Sequence, residues 1–266
     1  MAESDITHLE MSDVQASPTA AVGLARELRR EGVCILLHNY FPAPIEPFLL
    51  NLASTHAGTL RQSRAHCARA IELSAELGAP FYAAHAGFAL ELPPDLLGQP
   101  KAQREFCRLH ADGCPARRAG DIFQESVTEL MATGRRCGVE FLIENHVAGG
   151  DLGAEAGKIL LPGCFSDQIL AWAAAMDGFG LLLDVGHLRC TARTMDFDPG
   201  KFCAAVAPLV RAFHLSDNNG YSDQHLPFDG SAWFLDFVTS HPKVPAILEF
   251  HDSRPDDVAA ARALLP

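Results

Sequence analysis

GLLLDVGH, residues 180–187, runs three leucines into Asp184 and adds His187 three positions later. A run this apolar fits a strand covered on both faces, as strands of parallel sheets are. A carboxylate at the end of such a strand is costly unless it is paired or bound to a cation. The same design recurs along the chain in ITHLEMS (6–12), VCILLHN (33–39), PFYAAHAG (80–87), VEFLIENH (139–146), VRAFHLSD (210–217) and PAILEFHD (245–252). Six of these seven runs carry His, Asp or Glu at their C-terminal ends.

Between the runs lie segments with helical spacing, among them 18–32, 60–78, 121–138 and 166–176. Ser166 and Asp167 have the residue types of N-caps, and Gly32, Gly78 and Gly138 each stand where a helix would end. Strand alternates with helix over the whole length without a Pro/Gly/Ser linker or a charge block, which predicts one α/β domain over residues 1–266. No strand leads into GxGxxG or GxxxxGK[ST], so the phosphate loop of the open nucleotide-binding sheets is missing. Polar groups gathered at C-terminal strand ends favour a (β/α) barrel, whose active sites sit on that rim. Seven strands are recognised, with no βα unit before ITHLEMS, so the expected barrel lacks its first unit. Its open edge would need cover from a partner subunit, the N-terminal residues or a squeezed seven-strand closure, and either a homo-oligomer or modest stability is expected. The long connections 88–120 and 147–165, rich in Pro, Gly and charge, are candidate lids.

Composition narrows the function. The 266 residues are 48% hydrophobic and 20% charged, enough for a sizeable core. No stretch reaches the roughly 18 apolar residues of a membrane helix, and MAESDITHLE lacks the basic and apolar regions of a signal peptide, so a cytoplasmic protein is expected. A formal charge of −12 argues against a nucleic-acid partner, since that grip rests on Lys and Arg at phosphates. Tyr40 and Phe41 are the only aromatic pair placed to wedge into a duplex. The eight cysteines are scattered without CxxC pairs, which predicts reduced thiols rather than disulfides or a zinc ribbon.

The residues that carry chemistry are, at strand ends, His38, His85, Glu144, Asp184, His187, His214 and Glu249, joined by Asp223 and His225 from the stretch after the sixth run. Glu144, Asp184 and Glu249 each follow apolar residues with no Lys or Arg at neighbouring strand ends, Arg211 being the nearest cation. A divalent metal is the simplest partner. Mixed imidazole and carboxylate donors suit zinc or manganese, with cobalt, iron or magnesium also admitted. Lys158, Arg189 and Arg193 are expected in loops after ligand strands and are the cations placed to meet a substrate phosphate.

LIENH, LLLDVGH, FHLSDNNGYSDQH and ILEFHD resemble the strand-end motifs of the xylose-isomerase-like TIM barrels, a superfamily of sugar isomerases, sugar epimerases and zinc-dependent apurinic endonucleases. The resemblance covers roughly residues 5 to 252, and D-x-x-H with D-x-H is its most specific part. It implies that Glu144, Asp184, His214 and Glu249 are the ligands of the shared metal site. It implies too that His187, Asp223 and His225 match the set holding a further ion in the endonucleases, with His38 and His85 matching two more histidines there, for one to three ions in all. The chain departs from the family in its missing first strand and in HLPFDGSAW, which lacks the second glycine of the family's GxG turn.

Three functions remain open. The first is a divalent-metal-dependent sugar or sugar-phosphate isomerase or epimerase. It would transfer a proton through a metal-stabilised enediolate, with Glu144 and Glu249 as the catalytic acid–base pair. The second is an endonuclease-IV-like phosphodiesterase using two or three metals. The third is a non-catalytic barrel that binds a small carbohydrate.

Overall fold

The structure, a computed structural model, describes residues 7–12, 16–46, 48–96, 100–110, 113–149 and 162–266. Among them, all seven apolar runs form strands. The chain opens with β1 (His8–Met11), α1 (Pro18–Arg30), β2 (Cys34–His38), α2 (Ala57–Leu77) and β3 (Phe81–His85). It continues through α3 (Pro100–His110), α4 (Ala116–Cys137), β4 (Glu140–Glu144), α5 (Ser166–Ala175) and β5 (Gly180–Asp184). It ends with α6 (Val185–Met195), α7 (Pro199–Val206), β6 (Val210–Leu215), α8 (Leu235–Thr239), β7 (Ala246–Leu248) and α9 (Pro255–Arg262). Neighbouring strands follow chain order from β1 to β7. This is the order that repeated βα units produce, since each parallel partner needs a crossover.

Two compact units divide the chain, Met1–Asp95 with Pro115–Ile143 and Leu96–Cys114 with Glu144–Pro266. In the first, β1 and β2 pair in parallel from His8 opposite Cys34 to Met11 opposite Leu37, and His38 pairs with Ala83 of β3. Helix α1 starts where Ser17 Oγ accepts from the Ala20 amide at 3.3 Å with Pro18 in the first turn, and ends on Arg29 and Arg30, which favour the negative end of its dipole. Arg26 joins it to Glu76 of α2 at 2.5 Å. Helices α2 and α4 pack together and end on Gly78 at φ 75° and Gly138 at φ 72°.

In the second unit, Leu181, Leu182 and Leu183 of β5 are wholly buried. Burial of each is worth roughly 1.5–3 kcal/mol. Helix α5 begins one residue earlier than its side chains suggested: Phe165 is the N-cap and makes no side-chain cap, while Ser166 is already helical. The described residues of the 88–120 connection hold a 3-10 turn at Pro94–Leu96 and α3 before α4 begins. The other candidate lid falls mostly on 150–161, outside the described residues. None of the seven cysteines described is in a disulfide. No described helix is long and apolar enough to cross a membrane.

Helix α4 runs so close to the strand it feeds that a Cβ on Gly134 would stand 2.4 Å from the Val139 carbonyl oxygen. Backbone atoms must move to admit it. Gly134→Ala should therefore destabilise the protein by about 1–3 kcal/mol, despite the better helix propensity of alanine, as measured by the midpoint of urea unfolding. An unchanged or raised midpoint would mean that the contact yields freely.

Candidate metal centre

The second unit brings the ends of four successive strands together. Asp184 of β5 pairs with His214 of β6, and His214 pairs with Ile247 of β7. Glu249 lies two residues beyond Ile247, hence on the same face, and its amide donates to the Leu215 carbonyl at 3.1 Å. The β5–β6 register shifts between Leu181 and Leu182, skipping Arg211, and that shift sets Asp184 opposite His214. Arg211 itself is exposed and donates to the Pro208 carbonyl at 2.9 Å. With Glu144 at the end of β4, one ligand atom each from Glu144, Asp184, His214 and Glu249 lie within 4.8 Å of one another. His214 Nδ1 stands 3.1 Å from Glu249 Oε2, 3.6 Å from Glu144 Oε1 and 3.8 Å from Asp184 Oδ2.

Asp184 serves two ends at once. Its Oδ1 caps α6 by accepting from the His187 main-chain amide at 2.7 Å, so the carboxylate that ends β5 also starts the helix carrying His187. Its Oδ2 is buried, has no hydrogen-bond partner and faces the quartet. A Cβ on the intervening Gly186 would lie 2.6 Å from Ser216 Oγ and 3.2 Å from Asp184 Oδ1, so only glycine fits without a shift there. A buried carboxylate oxygen without a hydrogen bond, among two further carboxylates and an imidazole, is a donor set that suits a divalent cation.

His187 and Asp223 extend the cluster. His187 Nδ1 is 3.3 Å from Glu144 Oε1, and its Nε2 is 3.0 Å from Asp223 Oδ2. His225 Nε2 approaches the same Asp223 oxygen at 3.1 Å, and its Nδ1 stands 3.7 Å from Glu249 Oε2. Burial pushes the Asp184 carboxyl up to about 7, with Glu249, Glu144 and Asp223 adding to the rise and His187 opposing it. Burial works against a charged His187, but Asp184, Asp223 and Glu144 overcome it and hold its pKa well above the usual imidazole range. Burial also works against a charged Asp223, yet His187 and His225 outweigh it and hold that carboxyl below the usual carboxylate range.

Of the nine residues that the sequence singles out, the second unit thus gathers Glu144, Asp184, His187, His214, Asp223, His225 and Glu249. His38 and His85 lie in the first unit, edge to face, with ring centroids 5.7 Å apart. Glu10 joins them: it pairs with Leu36, two residues before His38, and its carboxylate comes within 4.8 Å of a His38 nitrogen. Sequence reading passed over Glu10 because it stands inside its run rather than at the end; the period-two register with β2 carries the signal. Arg189 and Arg193 are not loop cations, since both lie on α6. Arg189 is ion-paired to Asp217, while Arg193 donates to the Tyr221 hydroxyl and sits 3.9 Å from the ring centroid. Lys158 lies outside the described residues. Tyr40 and Phe41 are poor wedges, because Phe41 is fully buried and the Tyr40 hydroxyl accepts from the Leu50 amide at 2.6 Å.

Parallel βα units with polar donors at their C-terminal strand ends define a protein of the TIM-barrel class. Residues 2–264 match the model of the xylose isomerase-like TIM barrel family, and the chain belongs to that family. It is similar to the crystal structure of a D-tagatose 3-epimerase-like protein, at 18% identity and a TM-score of 0.70 over 99% of this chain and 88% of the other. A protein from Thermus thermophilus, soaked with ZnCl2, shares 19% identity and a TM-score of 0.64 over 96% and 87% of the two chains. A D-psicose 3-epimerase crystallised in the presence of D-fructose shares 13% identity and a TM-score of 0.60 over 97% and 80%. None of the curated proteins compared matches this sequence.

Cation binding at the quartet would displace the proton that the Asp184 carboxyl, pushed up to about 7, retains near neutrality. The metal-free protein should therefore bind Mn2+ or Zn2+ with proton release, and apparent affinity should rise with pH between about 5.5 and 7.5. Calorimetry in two buffers of different ionisation heat measures both. Glu249→Gln should weaken binding roughly tenfold or more. Binding that is independent of pH and of Glu249 would place the cation elsewhere.

Proposed function

We propose that the protein is a divalent-metal-dependent isomerase or epimerase of small sugars. The observation that carries the reading is the quartet of Glu144, Asp184, His214 and Glu249 around the orphaned Asp184 oxygen. The sugar 3-epimerases among the similar structures support it as analogy of fold. Zinc or manganese suits three carboxylates and one imidazole. Glu144, Asp184, His214 and Glu249 would hold such an ion, which would supply positive charge to stabilise an enediolate.

The chain's own residues do the rest. Glu144 and Glu249 come from β4 and from the residue after β7, with β5 and β6 between, so they approach a bound substrate from different sides. Each carboxylate has two oxygens, and one that gives an oxygen to the cation keeps a second to take a carbon-bound proton. The C–H bond breaks toward one carboxylate, its electron pair stays with the carbonyl unit, and a proton returns from the same or the opposite side. Glu249, whose side chain is 30% exposed, can exchange its proton with water; Glu144, almost wholly buried, is shielded from it. Asp223 stands between the His187 and His225 rings at 3.0 and 3.1 Å and fixes their orientation beside the quartet.

A second reading, a phosphodiesterase, rests on Asp223 with His187 and His225 at 3.0 and 3.1 Å, a second donor set beside the first. The acidic balance of the chain weighs against a polyanionic substrate.

Turnover in heavy water should place deuterium on the carbon next to the carbonyl of a ketose, detectable by NMR across a panel with and without phosphate. Glu144→Gln and Glu249→Gln should each impair exchange to different extents, since one base can still wash in deuterium from its own face. Cleavage of an abasic-site oligonucleotide without carbon exchange would replace this reading by the second. Neither activity on a broad panel would leave a carbohydrate-binding protein.

A further inference from the structure

The end of β4 carries a substitution of side chain for backbone. The strand stops at Glu144, yet pairing toward β5 continues one residue further through the side chain of Asn145. Its Nδ2 donates to the Asp184 carbonyl at 2.9 Å, and its Oδ1 accepts from the Asp184 amide at 2.8 Å. These are the two contacts that a strand neighbour's main chain would make. The main chain of Asn145 is engaged elsewhere: its carbonyl lies 3.0 Å from His187 Nδ1. A carbonyl only accepts, so that nitrogen carries the hydrogen, and the ring turns Nε2 toward Asp223.

We propose that Asn145 is a positioning residue for the cation site, holding the Asp184 main chain from both sides while orienting the His187 ring. This inference rests on the reading of Glu144, Asp184, His214 and Glu249 as cation ligands. The need for such a part follows from Asp184. Oδ1 accepts the α6 cap and Oδ2 is the oxygen without a hydrogen bond, so any drift of the Asp184 main chain moves the candidate ligand atom and the helix start together. Asn145 is 2% exposed, so bulk solvent does not reach its amide. A residue directly following Glu144 thereby couples three of the strand-end groups, and neither its residue type nor its spacing marks it as a ligand.

The test compares wild type with Asn145→Ala and the near-isosteric Asn145→Leu. Each is measured for Mn2+ affinity by calorimetry and for unfolding temperature after chelation and with saturating Mn2+. The expected result is Mn2+ binding about 10–100-fold weaker in both variants, and a metal-induced rise in unfolding temperature smaller than that of wild type. Equal loss of unfolding temperature with and without Mn2+, at unchanged affinity, would make the two hydrogen bonds merely structural and overturn the proposal. A wild type that binds no Mn2+ or Zn2+ would overturn the cation-site reading itself, and the inference with it. Should neither variant fold, amide exchange of the wild type decides. Slow exchange at Asp184 before metal is added supports positioning by Asn145, whereas fast exchange that becomes slow only with metal would mean that the cation orders the site.

Discussion

Carboxylates that cannot reach water are the constraint on which the rest of the second unit depends. Asp184 and Glu144 are almost entirely buried and Glu249 partly so, all around a buried His214. Such a group charges up only if something of opposite sign meets it. Within the protein that role falls to His187 and His225, whose pKa values are raised although burial opposes it. The Asp184 carboxyl at about 7 marks where this internal compensation runs short. A cluster that keeps protons near neutrality while pointing an orphaned oxygen inward is unfavourable as pure scaffolding and reasonable as a cation site.

The scaffold meets that cost with rigidity. Asn218 donates to the Gly186 carbonyl at 2.8 Å, Asp217 and Leu226 exchange both backbone bonds at 2.7 and 2.8 Å, and Arg189 pairs with Asp217. Arg193 over Tyr221 adds a cation–π contact on the outer side. The segment carrying Asp223 and His225 is therefore clamped to α6, the helix that Asp184 caps. Its backbone is strained where it turns, with His225 at φ 48°. Strain of this kind persists only where surroundings hold it, and here it aims an imidazole at Asp223 and Glu249.

Much of the fold was legible in the sequence because parallel strands covered on both faces need no alternation: runs such as GLLLD and FYAAH announce themselves by apolarity alone. The chain positions of Glu144, Asp184, His214 and Glu249 were legible because polar groups at the ends of such runs stand out. Other features were not. Ser166 and Asp167 look like caps, but the packing of α5 starts the helix at Ser166 with Phe165 before it. Arg189 and Arg193 resemble available loop cations until Asp217 and Tyr221 claim them. Tyr40 and Phe41 look like an exposed pair until a ring is buried and a hydroxyl capped.

By itself the sequence determined the alternation of strand and helix and the strand ends that carry ligand-type groups, whereas the helix that Asp184 caps, and that bears His187, came only from the structure. The alternation and the strand ends depend on neighbours within a few residues, where hydrophobic period acts directly. Only the tertiary structure decided the slip at Arg211 that sets Asp184 opposite His214, the use of Asn145 as a surrogate strand, and the place of Glu10 beside His38. Each of these joins segments some 28 to 39 residues apart in chain order. Register between such segments is settled by packing and by which backbone groups find partners, and no local pattern of residues encodes that outcome.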